Sequence, residues 1–505
     1  MRRHNEPDAS PDWRPVVYWG TRQTSVYRKS MDRDRLELTA DELRTLGYQV
    51  IDLLVDHFDT VRDQPVTSHA QRRDLEQLLR EPPPRQGSDP AEVLEQLSND
   101  VFSHIAHLIH PRFFAFVPSP SNFISVMADC LAAGYNIFNG SWLVASGPAQ
   151  IELVTVDWLR QMCGLPDTAG GLFVSGGTAA NLTALAVARH ARLGDRTAGA
   201  VVYYSDQTHA VVDRSLHLLG FSSQQSRVLP TGESYRLPLP ELHAAIREDR
   251  ASGRIPFAVV ANAGATNSGA VDPLPQLAQL CREQGLWLHA DAAYGGPAML
   301  TERGRAALEG LHLVDSLSLD PHKWLFQPFE SGCVLLRDGS LLLDTFAMHP
   351  EVLRDVDRGN EEVNFRDYGI QLTRSFKALK LWMSLKVFGL DAFERAIARG
   401  IELAETAEQI LRESAVWEVV TPAQLGVITF RYTAHDLSAP DGDTLNRQIV
   451  DAMIEDGLAL ISSTVLRGRL VLRLCTINPR TTADDLGETI NRLETMGADL
   501  KGKFT

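Results

Sequence analysis

Four short stretches set reactive or ligand-binding side chains just behind apolar runs. Asp320-Pro-His-Lys323 follows Ser316-Leu-Ser-Leu319, which places Lys323 just past the end of a strand. Open α/β sheets bind their ligands at that edge. With Trp324 and Phe326 beside it, the amine is expected to be partly desolvated, and a desolvated lysine attacks carbonyl carbons. Ser175-Gly-Gly-Thr178 lies between Gly171-Leu-Phe-Val174 and a helix expected from Leu182 to His190. Its glycines admit close backbone approach, and the helix N-terminus offers free N–H groups to one phosphate. It is neither a Walker A loop nor GxGxxG. His209 in Ser205-Asp-Gln-Thr-His209 follows the next run, where an imidazole can stack on a planar ring or donate to a carboxylate. Asp291 in His289-Ala-Asp-Ala-Ala-Tyr294 ends a third run; it can hold a ring N–H, and Ala292 and Ala293 leave flat room beside that ring. Each residue alone has a plainer role, as a loop lysine, a tight turn, a hydrogen-bonded histidine or a helix-capping aspartate.

The conjunction is more specific than its members. A phosphate anchor, a stacking ring, a partner for a pyridine nitrogen and a Schiff-base lysine are together what pyridoxal phosphate requires. The elements that hold them alternate strand and helix from about 110 to 390. Ala200–Tyr203, Phe257–Ala261, Leu286–His289 and Cys333–Leu336 are further strand-like runs, so a mostly parallel sheet covered by helices is expected. Residues 391–505 read as a small α+β domain with strands at Gly426–Phe430 and Arg469–Arg473. Residues 36–109 read as a helical segment. Thr39-Ala-Asp-Glu42 fits a capping box, and a second amphipathic helix is expected from Pro90 to about Leu108. Residues 1–35, rich in Pro, Arg and Asp, read as a flexible tail.

The 505-residue chain has 49 Lys and Arg against 64 Asp and Glu, a formal charge of -15. That balance excludes a general nucleic-acid or anionic-membrane binder. No run of about 18 apolar residues and no secretory signal is read. Five scattered cysteines in apolar contexts, with no Cys/His metal spacing, predict reduced core thiols, no metal and a cytoplasmic location.

From about Leu38 to about Leu493 the sequence resembles the group II pyridoxal-phosphate-dependent amino-acid decarboxylases of fold type I. Pro321-His-Lys-Trp324, His289-Ala-Asp-Ala-Ala-Tyr294, Asp206-Gln-Thr-His209 and Arg374-Ser-Phe-Lys-Ala-Leu-Lys-Leu-Trp382 carry the resemblance. It implies a fold type I architecture with a seven-stranded-type sheet, and a homodimer with active sites at the interface. The N-terminal helices would cover a partner subunit. It further implies that Lys323 binds the cofactor covalently, Asp291 pairs with the pyridine nitrogen, His209 stacks on the ring and Ala293 packs on its other face. Gly177 and Thr178 would meet the phosphate with His322 nearby, and Thr266 would lie near the ring.

Two departures bear on the reaction. Family members carry a loop tyrosine that returns a proton to the substrate carbon. Here Phe346-Ala-Met-His-Pro-Glu-Val-Leu353 puts Val352 at that position, and valine has no proton to donate. By analogy with plant relatives, this predicts decarboxylation coupled to oxidative deamination by O2, giving an aldehyde. A donor such as His349 would instead give a plain decarboxylase that releases an amine. Elimination or transamination on the same cofactor is the third alternative. For the substrate pocket, Phe116, Pro118 and Ser119 lie in a segment that resembles the family's pocket lining. Leu108 and Gly140 stand where aromatic-substrate members have large aromatics, and Phe138 partly refills that space.

Overall fold

The computed structural model describes residues 36–194, 196–348, 362–433 and 437–503. Two compact units are distinguished. One comprises the described residues up to Thr60 with His69–Ile105, the other Val61–Ser68 with the chain from Ala106 onward.

The first unit is helical. The helix Ala40–Thr60 opens with the expected capping box: Thr39 N donates to Glu42 Oε2 at 2.8 Å, and Glu42 N donates to Thr39 Oγ1 at 3.4 Å. A helix over Arg72–Leu79 was not expected from the sequence. The long helix expected from Pro90 to Leu108 ends at Gln96, then widens into a π turn, Leu97–Val101, and a 3₁₀ turn, Phe102–His104. Ser98, Asn99, Asp100 and Val101 are poor helix formers, and Ser98 Oγ bonds back to Leu94 O at 3.0 Å.

The second unit is built on a seven-stranded sheet. Its strands are β1 (Gly170–Val174), β2 (Ala200–Ser205), β3 (Ser226–Leu229), β4 (Ile255–Asn262), β5 (Trp287–Asp291), β6 (Ser316–Leu319) and β7 (Gly332–Leu336). The order is β1-β7-β6-β5-β4-β2-β3, and β7 alone runs against the others. The sheet is therefore mostly parallel, as expected. β2, β5, β6 and β7 are buried along their whole length. Val201 and Tyr203 of β2 join one core cluster and Val202 and Tyr204 the other, so the two faces are both covered.

After residue 416 the chain forms a four-stranded antiparallel sheet from β8 (Trp417–Gln424), β9 (Val427–Tyr432), β10 (Ser462–Leu466) and β11 (Arg469–Cys475), in the order β10-β11-β9-β8. Helices Leu390–Glu413, Ala439–Asp456 and Ala483–Lys501 supply Leu403, Ile449 and Ile490 to its core. The sequence pointed to β9 and β11 and missed β8 and β10. Both are edge strands, and neither Ser462-Ser-Thr nor the Pro422 of β8 fits a buried strand pattern.

Four cysteines are buried, with burial pushing the Cys163 thiol up to about 12. Cys130 is exposed, against the expectation that all five lie in the core. Among the described residues no helix is long and apolar enough to cross a membrane, and no group of three or more His, Cys, Asp or Glu could hold a metal.

Candidate active site

All four chemical stretches converge at the carboxyl ends of the parallel strands, around a cavity of about 350 Å³. Sites for small molecules span roughly 300–1,000 Å³. Gly177, Thr178, His209, Thr266, Asp291, Ala293, His322 and Lys323 all line it. The geometry also explains the two glycines. A Cβ on Gly176 would come within 3.2 Å of His322 Cε1, and one on Gly177 within 2.9 Å of Asp320 Oδ2. Behind them, the helix Gly177–Leu193 presents its N-terminus to the cavity. That is a cradle fit for one phosphate.

Asp291 lies at the end of β5, next to Ser318 of β6 in register. Its Oδ1 accepts from Ser318 Oγ at 3.0 Å and from Ala293 N at 3.1 Å, while Asn181 Nδ2 lies 3.4 Å from its Oδ2. Behind it runs a proton-ordered chain. Trp287 Nε1 donates to Ser316 Oγ at 2.8 Å, and the Ser316 hydroxyl donates to His289 Nδ1 at 2.9 Å, because Asn181 Oδ1 can only accept and so places the neutral ring's hydrogen on Nε2. His289 Nε2 then carries the hydrogen given to Asn181 Oδ1 at 2.9 Å. Burial lowers the His289 pKa to about 4, which keeps the ring neutral and this tautomer intact. Asp291 thus stands as a fixed acceptor facing the cavity, the arrangement a pyridine N–H needs.

Lys323 Nζ pairs with Asp320 Oδ2 at 3.0 Å, and Lys323 N donates to Asp320 O at 2.9 Å. Trp324 and Phe326, expected to desolvate the lysine, do not line the cavity. Trp324 stacks on Tyr294 at 6.0 Å and Phe326 on Phe393 at 5.8 Å. The sequence runs them alongside Lys323, but the turn Asp320–Lys323 sends the following residues into the core. The His322 ring, held down in pKa by burial, accepts at Nδ1 from Ser331 N at 3.3 Å. His209 accepts at Nδ1 from Val211 N at 3.2 Å, which leaves Nε2 to carry its hydrogen. Thr266 is held through its carbonyl, which accepts from Arg473 Nε at 2.7 Å.

Among the described residues, none of those expected in the substrate pocket lines this cavity. Ser119 is nearest in bonding terms, donating through Oγ to His322 O. Pro118 is buried beside it. Phe116 is exposed, at φ +52°, and its carbonyl accepts from Arg473 Nη1. Leu108 packs against the cluster of Val66, Phe113, Ala115 and Leu460. A Cβ on Gly140 would meet Phe138 Cζ at 2.6 Å, so the Phe138 ring does occupy the space that glycine leaves. Val352 and His349 lie outside the described residues.

Asn181, Ser318, Asp320 and Glu330 take part in the site without having been singled out from the sequence. Asn181 sits four residues beyond Gly177, one helical turn from the cradle, and that spacing was the available signal.

A model of the pyridoxal-dependent decarboxylase conserved domain matches residues 73–433. The chain is 48% identical over 469 residues to an aromatic-L-amino-acid decarboxylase of Bacillus atrophaeus, covering 92% of this chain and 98% of that one. It is 32% identical over 464 residues to a phenylacetaldehyde synthase of Arabidopsis thaliana, covering 88% of this chain and 94% of that one. The solved structure of Oryza sativa TDC with PLP and tryptamine superposes with a TM-score of 0.87 at 28% identity, over 92% of this chain and 99% of that one. A lysine, a carboxylate and a phosphate cradle around one cavity, together with these matches, show that the chain belongs to the pyridoxal-dependent decarboxylase family and acts on amino acids through pyridoxal phosphate.

Proposed function

We propose that the protein converts an aromatic L-amino acid into the corresponding amine and CO2. The observation that carries this reading is the single cavity that gathers Lys323, paired with Asp320 Oδ2 at 3.0 Å, with Asp291, His209 and the Gly177–Thr178 turn. The 48% identity to an aromatic-L-amino-acid decarboxylase supports the substrate class.

When bound, pyridoxal phosphate supplies the aldehyde that captures the substrate amine and the ring that stores the electron pair left by CO2. The residues around it have separate tasks. Lys323 would hold the cofactor through its amine. The N–H groups at Gly177 and Thr178, with His322 beside them, hold the phosphate. Asp291 keeps the ring nitrogen protonated, since its own lone pairs are already oriented by Ser318 and Ala293. His209, Ala293 and Thr266, which line the cavity, would confine the ring. The segment with Phe116, Pro118 and Ser119, together with Leu108, Phe138 and Gly140, would complete the substrate pocket in a homodimer. Exposed apolar residues favour such a dimer: Tyr135 is 79% exposed, Val144 63% and Leu372 57%. In domain terms we read 36–109 as the dimerisation segment, 110–390 as the cofactor-binding domain and 391–505 as the small domain.

Val352 favours a second reading. If the loop position of the family's tyrosine cannot donate a proton, the electron pair left by CO2 would instead reduce O2 to peroxide, and water would release the aldehyde and ammonia. A phenylacetaldehyde synthase stands among the relatives. One experiment separates the two. The loaded enzyme is given L-tryptophan, L-tyrosine and L-phenylalanine in air, and CO2, amine, aldehyde and O2 are measured together. Amine equal to CO2 without O2 uptake is the expected result. Aldehyde with peroxide, shifted toward amine by Val352→Tyr, would establish the second reading. Absence of CO2 from every substrate would refute both and point to elimination or transamination.

A further inference from the structure

We propose that a second cavity, at the opposite edge of the large sheet from Lys323, binds a phosphate group, carried either as the free ion or as the monoester of a small metabolite.

This cavity encloses about 310 Å³ at the amino ends of β5 and β6, where Leu286, Leu288 and Asp315 lie. Three guanidiniums line it, each from a different element. Arg192 belongs to the last turn of the helix Gly177–Leu193 and Arg282 to the last turn of the helix Leu274–Gln284, while Arg337 follows the end of β7. The dipole of a helix favours a cation in its last turn. That accounts for Arg192 and Arg282 singly, but not for their sharing one cavity with Arg337 in a chain of formal charge -15. Among the described residues none of the three pairs with a carboxylate. Two are held in place by other means. Arg192 lies over the Trp287 ring, 5.9 Å from its centroid. Arg337 Nε donates to Val314 O at 3.1 Å and Nη2 to His312 O, so the outward Nη1 is the group left for a ligand.

Asp315 lines the same cavity, oriented by a bond from Leu288 N to its Oδ2 at 2.7 Å. Three guanidiniums against one carboxylate leave two positive charges for an occupant to balance. Burial keeps the Cys281 thiol of this wall protonated and neutral. Guanidinium forks match the oxygens of phosphate, and three of them from three elements suit a tetrahedral anion. The carboxylate narrows the choice. A phosphate that retains a hydrogen can donate it to Asp315, whereas sulfate has none to give and meets Asp315 as a like charge. The volume lies at the low end of small-molecule sites, roughly 300–1,000 Å³. Leu286, Leu288 and Leu313 form an apolar wall that the remainder of a monoester can cover.

Calorimetric titration of the holoenzyme tests this, because bound cofactor already fills the phosphate cradle at Gly177. Excess cofactor is removed, and inorganic phosphate, glycerol phosphate and sulfate are added at constant ionic strength and pH 6, where a monoester still holds part of its second proton (pKa about 6). Both phosphates are expected to bind about tenfold tighter than sulfate. Arg282→Gln is expected to weaken phosphate binding about tenfold, and Arg192→Gln serves as a second variant should the first fold poorly. Asp315→Asn, whose amide oxygen can still accept from Leu288 N, is expected to erase the preference for phosphate over sulfate. Tighter binding of glycerol phosphate than of the free ion identifies a monoester as the occupant, and the reverse order identifies inorganic phosphate. No saturable binding of either phosphate, equal affinity for phosphate and sulfate, or affinity unchanged in both arginine variants overturns the proposal.

Discussion

Asn181 joins more of the site than any other uncharged side chain described. Its Nδ2 donates to Gly177 O at 2.8 Å, and its Oδ1 takes the hydrogen of His289 Nε2 at 2.9 Å. It is fully buried, so nothing replaces these bonds if the amide is lost. Asn181→Leu strands a buried imidazole N–H and loosens Asp291, and is expected to cost about 1–3 kcal/mol of stability. Urea unfolding of the cofactor-free protein measures that cost, and fluorescence titration should show weaker cofactor binding. An unchanged midpoint would mean the network is slack. Lys323, Asp291 and His209, which line the cavity, were legible in the sequence because each follows an apolar run and has a side chain rare in that setting. Asn181 was not, since an asparagine inside a helix gives no hint of which strand it meets.

At the scale of elements, Arg374 shows what a family motif is for. β1 forms one edge of the large sheet, and an edge strand leaves backbone groups without a strand partner. Arg374 Nη2 donates to Phe173 O at 2.7 Å, and Glu152 Oε1 accepts from Phe173 N at 2.9 Å. Arg374 and Glu152 meet at 2.6 Å, both buried. A side-chain ion pair therefore finishes the edge just before the phosphate cradle begins. Arg374→Leu leaves the Glu152 carboxylate buried without its cation, and a loss of about 3–5 kcal/mol is expected in chemical unfolding. The double variant Arg374→Leu/Glu152→Leu should lose less than the sum of the single changes. Strict additivity would show that the two residues do not act as a unit. Lys380 of the same motif donates to the carbonyls of Pro328, Phe329 and Glu330, at 3.4, 3.2 and 3.1 Å, fixing the wall that follows Lys323. Spacing alone could not reveal either contact, because the partners lie 222 and about 50 positions away in the chain.

At the scale of the molecule, the exposed apolar residues Tyr135, Val144, Ile370 and Leu372 lie on neighbouring stretches, joined where Asn139 N donates to Arg374 O at 2.8 Å. If a second copy covers them, Val144→Glu combined with Leu372→Glu should convert the dimer to monomer in sedimentation and remove most decarboxylase activity while the cofactor still binds. A variant that sediments as the wild type would refute that surface. The alternation of apolar strand runs and helices determined an α/β sheet with its site at the strand ends, because a parallel sheet buried on both faces requires continuous apolar runs. The residue types at those ends determined the cofactor. Tertiary structure alone decided which carboxylate meets which cation. Asp320 was one turn residue among many in the sequence, and only the fold buried it 3.0 Å from Lys323 with one oxygen unpartnered.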